Sequence, residues 1–298
     1  MKLQIKKILV PTDFSETGLL AVDHATAMAR LTKSEMILVH VLPENPYHFE
    51  IPEPVLLMDN REELFKMVEQ KLGDIARKIS LGDDIHPRYI VSTGKVANEV
   101  VKIAQEEKVD LIIMGTHGAK GFEELFIGSN AHKIVSIAPC PVITVQQHAR
   151  EIGFKSIVLP IDRSTHSREK VEVAITIGKI YNSGIHIVGL LDNTEEGEYD
   201  KLQIVLDQVE AAIDKAGLPF SRHTMKGDYL AAEALKYASS ISADLIIIMT
   251  EHESKLTGIF MGPLAKQIVN HSRIPVMSIK PHYGSFETLN LSGAYSFY

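Results

Sequence analysis

Three glycines and a serine within one stretch have the types and spacing to hold an anion. Two residues separate Gly115 from Gly118, nine more separate Gly118 from Gly128, and Ser129 follows directly. The apolar run ending at Met114 reads as a strand, Gly115 to Gly128 as a loop, and Asn130 onward as a helix. Glycine lets backbone approach a ligand closely and reaches positive φ at little cost. The unpaired N–H groups of a helix start, reinforced by the helix dipole, favour negative charge. Together these features describe a phosphate seat. A second loop with chemical potential, Pro11-Thr12-Asp13-Phe14-Ser15, ends the first apolar run. There Asp13 or Ser15 can cap the helix that follows.

Both loops need a scaffold. Short apolar runs at 8–11, 36–42, 88–91, 110–114 and 141–145 read as strands, several of them buried on both faces. Helical spacing follows Ser15, covers 60–79 and 96–105, and resumes at Asn130. Pro43, Pro46, Pro52 and Pro54 make residues 43–60 an irregular excursion. Strands alternating with helices imply right-handed crossovers and a parallel sheet. Ligands of such sheets bind beyond the carboxyl ends of the strands, where strand order reverses. The loops after the first and fourth strands both face that crevice.

The second half repeats the first. Lys7 to Asp13 returns as Ser156 to Asp162 at an offset of 149, whereas Asp110 to Val145 returns from Asp244 at an offset of 134. The difference means that the second copy lacks most of the proline-rich excursion. In the ungapped stretch Gly115 becomes Met249, Gly118 becomes His252, Gly128 stays as Gly262 and Ser129 becomes Pro263. Methionine puts bulk where backbone was to meet ligand, and proline removes an N–H and a hydroxyl. The expectation is two tandem α/β domains, 1–147 and 154–281, with a tail at 282–298, an anion site in the first and a degenerate site in the second.

Composition fits a soluble globular chain, at 45% hydrophobic and 23% charged residues. The net charge of −7 argues against nucleic acid or an anionic membrane as partner. No apolar run reaches the ~18 residues that span a bilayer. The first residues hold lysines without the apolar core of a signal peptide. The single cysteine, Cys140, fits a reducing compartment, so the cytoplasm is expected.

The glycine spacing, together with Pro11 to Ser15 after the first strand, resembles the universal stress protein family, in its ATP-binding branch and its tandem form. The resemblance implies two Rossmann-like (adenine nucleotide alpha hydrolase-like) domains, each a five-stranded parallel sheet of order 3-2-1-4-5 flanked by helices. It implies ATP, or ADP or AMP, beyond strands one and four, with magnesium or manganese carried on the phosphates. By the same resemblance Asp13 lies near the nucleoside, Val41 meets adenine through its backbone, and Pro11, Thr12 and Phe14 are among the nucleotide-binding residues. Gly115, Gly118, Gly128, Ser129 and Asn130 then match the phosphate loop and helix start, with Met114 and His117 also among the nucleotide-binding residues. The fifth strands of the two domains are expected to pair within the chain as a pseudo-dimer, and a homodimer is open. No ligand residue carries over to the second copy.

His117 has Glu251 as its counterpart and no partner acid, so it reads as a passive contact at most. There is no G-x-x-x-x-G-K-[ST] and no H-E-x-x-H. No catalytic residue and no dedicated metal site emerges. The leading function is nucleotide-dependent regulation in a stress response. The alternatives are a slow ATPase or nucleotidyl transferase, argued by fold analogy, and a nucleotide-free interaction scaffold.

Overall fold

A computed structural model describes residues 3–43, 61–82, 84–116, 127–149, 151–192, 197–250 and 261–281. The excursion at 43–60, the centre of the glycine loop and the tail from 282 therefore lie largely outside the described residues. In the first half the order is β1 (Lys7–Pro11), α1 (Glu16–Thr32), β2 (Glu35–Leu42), α2 (Arg61–Gly82), β3 (Arg88–Thr93), α3 (Val96–Glu106), β4 (Leu111–Gly115), α4 (Ser129–Ile137) and β5 (Val142–Val145). In the second half β6 (Ser156–Ile161) leads through a 3-10 turn, Thr165–Arg168, into α5 (Glu169–Tyr181). There follow β7 (Gly184–Leu191), α6 (Glu198–Lys215), β8 (Phe220–Lys226), α7 (Leu230–Ser240), β9 (Leu245–Met249), α8 (Pro263–His271) and β10 (Val276–Ile279).

The strands form a single sheet in the order β3-β2-β1-β4-β5-β10-β9-β6-β7-β8. Each half has the order 3-2-1-4-5, with every pair inside it parallel. Where the halves meet, β5 and β10 run antiparallel, with Val276 opposite Thr144 and Ser278 opposite Val142. The central strands are buried on both faces, which explains why their sequences are continuous apolar runs rather than alternating ones. Aspartates anchor the amino ends of the inner strands. Asp110 accepts from the Lys6 and Lys7 amides, and its counterpart Asp244 accepts from those of Lys155 and Ser156.

One core face runs through both halves without a break, from Ile8 and Leu72 to Phe154, Ile177 and Leu206. The opposite face carries one cluster per half, and Ile127 and Met261 pack against both. These two residues immediately precede Gly128 and Gly262. Among the described residues no helix is long and apolar enough to cross a membrane.

His24 joins the halves on the continuous face. Its ring is 1% exposed, hydrogen-bonds to the Ala149 carbonyl at 3.0 Å through Nε2 and stacks 5.5 Å from Phe154. Burial holds this imidazole below the usual 6.5, and burial does the same to His40 and His186. The unfolded chain then binds more protons than the folded one, so stability falls as pH drops below about 6.5. Urea midpoints should decline between pH 7.5 and 5.5; a flat profile there refutes the assignment.

Candidate functional site

The first wall of the crevice is the loop leaving β1. Pro11 ends the strand opposite Val39, and the buried Thr12 continues the contact by donating its N–H to the Val39 carbonyl at 2.9 Å. The Thr12 hydroxyl oxygen accepts the Phe14 N–H at 3.1 Å. Phe14 sits at φ 67°, a conformation that costs a bulky residue energy and is found where surrounding structure enforces it. Here its ring stacks 4.8 Å from His40, and the Lys71 ammonium lies 5.3 Å from the ring centroid. The His40 Nδ1 donates to the Thr12 carbonyl at 2.8 Å, since a carbonyl can only accept. Asp13 is exposed, and its Oδ1 accepts the Ser15 N–H at 3.0 Å and the Ser15 hydroxyl. Of the two candidate caps Ser15 is the one realised, because its Oγ accepts the Gly18 N–H at 3.1 Å.

His40 was not among the expected residues. The available signal was a polar ring inside an otherwise apolar strand. Gly18 was also missed. A side chain there would begin 2.9 Å from Asp13 Oδ1 and 3.0 Å from Thr12 Oγ1, so anything larger than glycine would push the Asp13 and Thr12 side chains from their places in the loop.

The opposite wall begins at Gly115, and here the expectation needs correction. Gly115 is not a loop residue but the last residue of β4, opposite Val145. A Cβ at this position would sit 2.9 Å from the Thr17 carbonyl carbon and 3.0 Å from both the Thr17 oxygen and the Gly18 nitrogen. The neighbour that demands glycine is therefore the backbone of α1. Beyond it the Thr116 N–H bonds to the Val145 carbonyl at 3.0 Å, and the Gly128 N–H returns to the Thr116 carbonyl at 2.9 Å.

Gly128 is the N-cap of α4, while Ser129 is its first helical residue and not its cap. The His132 N–H makes the first turn's bond to Gly128 at 2.9 Å. The N–H groups of Ser129, Asn130 and Ala131 consequently have no acceptor within the helix. Ser129 and Asn130 are exposed at this opening. Met114 is buried opposite Thr144, and Val41 is buried opposite Ser92 near the end of β2. His117 and Gly118 lie outside the described residues. Strand order thus gathers Pro11 to Phe14, Met114, Gly115 and Gly128 to Asn130 about the adjacent ends of β1 and β4, with Val41 one strand away. The arrangement offers neutral backbone donors to an anion, beside an exposed carboxylate suited to accept from hydroxyl groups.

In the second half the frame is the same and the lining differs. The Gly262 N–H bonds to the Thr250 carbonyl at 2.8 Å, as Gly128 does to Thr116. Pro263 opens α8 where Ser129 opens α4. The 3-10 turn stands where α1 begins in the first half, and Met249 ends β9 in place of glycine. Arg163, the counterpart of Phe14, pairs with Asp192 at 3.2 Å and with Glu198.

A sequence model of the Universal stress protein family matches residues 4–146 and again 153–280. The chain belongs to the universal stress protein family. Its relatives include two universal stress proteins of Methanocaldococcus jannaschii, MJ0531 and MJ0577. The first is 32% identical over 49% of this chain and 85% of its own length; the second is 30% identical over 49% and 98%. These relatives thus align with about half of the chain. A universal stress protein structure from Archaeoglobus fulgidus superposes over 93% of this chain and 99% of its own, with a TM-score of 0.75 at 20% identity. A second, a putative universal stress protein from Pseudomonas aeruginosa, does so over 93% and 94%, with a TM-score of 0.68 at 17% identity. At such identities the two structures speak for the fold alone. This universal stress protein is therefore built as two family domains in one chain.

Proposed function

We propose that this universal stress protein is a nucleotide-responsive regulatory module that holds one adenine nucleotide, ATP in the first instance, in the crevice of its first half. The observation that carries the reading is the seat at Gly128. The Thr116 carbonyl fixes the Gly128 amide, and three N–H groups without an acceptor inside the helix open α4 beside the ends of β1 and β4. Phosphates would take these donors, with magnesium or manganese riding on the phosphates. In this reading Asp13 accepts from a ribose hydroxyl and the Val41 backbone meets the base. The second crevice, with Met249 and Pro263 in its frame, takes no adenine nucleotide. The β5–β10 pairing supports a further part of the reading, that one chain serves as its own pseudo-dimer.

Mass spectrometry of ligand released from freshly purified protein tests this. About one nucleotide per chain is expected from wild type and none from Gly128→Asp, which places a carboxylate against the phosphates. Equal retention by the variant would move the site elsewhere, and no nucleotide from wild type, even after incubation with ATP, would end the proposal.

A further inference from the structure

The crevice of the second half has lost features of the first, yet it has also gained one. Asp162, Ser164, Lys170, Met249, Gly262 and Leu264 line a small cleft at the ends of β6 and β9. Lys170 stands in the first turns of α5, where the repeat places Ala21 in α1. It is 5% exposed. Among the described residues its ammonium makes a single hydrogen bond, to Ser167 Oγ at 3.3 Å. Ser167 Oγ is itself held by the Asp162 N–H at 3.0 Å, and Asp162 Oδ1 accepts the Ser164 N–H at 2.9 Å and the Ser164 hydroxyl at 2.6 Å. Burial pulls the Lys170 pKa down to about 8 while Asp162 opposes the shift, so the side chain is a cation at neutral pH.

A lysine at a core position of an otherwise apolar helix face is costly to bury without full pairing. Asp162 is already engaged by Ser164, and two of the three ammonium N–H bonds are not matched by a hydrogen bond to a described residue. The same cleft receives the opening of α8. Pro263 removes one donor there, and the Leu264 and Ala265 N–H groups have no acceptor within the helix. Relative to the first crevice, one neutral donor has been replaced by a full positive charge. Met249 meanwhile ends β9 at the position where the first half has Gly115 packed against the backbone of α1.

We propose that this second cleft binds a small oxyanion, a lone phosphate or a carboxylate group, between the Lys170 ammonium and the amides that open α8. The inference does not depend on nucleotide binding in the first half.

Calorimetric titration of the full-length protein with inorganic phosphate, and separately with acetate, tests it. The titrations are run in wild type and in Gly128→Asp, whose first crevice is altered. In Gly128→Asp a saturable event of one ion per chain is expected, and adding Lys170→Met is expected to weaken that event by about tenfold or more. Whichever titrant binds more tightly identifies the group. Methionine fits an apolar helix face, so a melting temperature at or above wild type shows that the variant is folded. Pro263→Ser restores a donor and should tighten binding. The proposal falls if neither ion binds at concentrations up to about 10 mM. It falls equally if adding Lys170→Met leaves the event unchanged, or if Gly128→Asp alone abolishes it.

Discussion

Replacing Gly115 with methionine, the residue its second-half counterpart carries, is expected to cost about 1–3 kcal/mol of stability and to abolish nucleotide retention. The contacts that a first side-chain carbon would make, at 2.9 and 3.0 Å, are all with the backbone of Thr17 and Gly18. Backbone in the first turn of a helix cannot rotate aside as a side chain can. Relief must come from moving α1 away from β4, and α1 carries with it the Ser15 cap and the loop holding Asp13. Gly128→Ala is the control. A carbon there approaches one atom, Thr116 O, at 3.1 Å, so a smaller loss of stability is expected. Urea denaturation of the two variants, with nucleotide content measured alongside, separates packing from ligand contact. Wild-type stability in Gly115→Met would show that α1 does not depend on that contact.

Lys170→Met should act in the opposite direction and raise stability by about 3 kcal/mol at pH 7, since each unit of pKa displacement is worth about 1.4 kcal/mol. The lysine falls from the usual 10.5 to about 8 on folding. Below the folded value it is charged in both states and the full cost of burying it is present. Between about 8 and 10.5 the unfolded chain holds the proton more firmly, so wild-type stability rises with pH; above that window the cost is gone. The gap between the variant and wild type should therefore close across this window. A parallel climb in both, or a less stable variant at pH 7, would falsify the placement of a charged amine in this core. A charge retained at such a cost is more readily understood as serving a ligand than as serving the fold.

Much of this architecture was legible in the sequence because strands buried on both faces must be continuous apolar runs. Ile8 to Val10, Leu111 to Met114 and Val142 to Val145 announced themselves in that way. The repeat offsets carried the same reading into the second half. What escaped was whatever depends on proximity across the fold. The requirement for glycine at Gly115 comes from α1, nearly a hundred positions away in sequence, so no local pattern could distinguish it from a ligand contact. Gly18, a glycine in the first turn of a helix, and His40, a polar interruption in an apolar strand, did leave local traces. Lys170 left one as well, against Ala21 in the aligned half.

The antiparallel seam between β5 and β10 has a consequence for how the two crevices can change over time. In an assembly of identical chains every substitution appears on both sides of the symmetry axis, so a harmful change in one site is a harmful change in both. Here Thr144 faces Val276 across an axis that relates similar but separately encoded halves. Positions 170, 249 and 263 could therefore drift while 21, 115 and 129 were held. Fusion into one chain turns an enforced symmetry into an approximate one, and leaves the second crevice free to acquire a chemistry of its own.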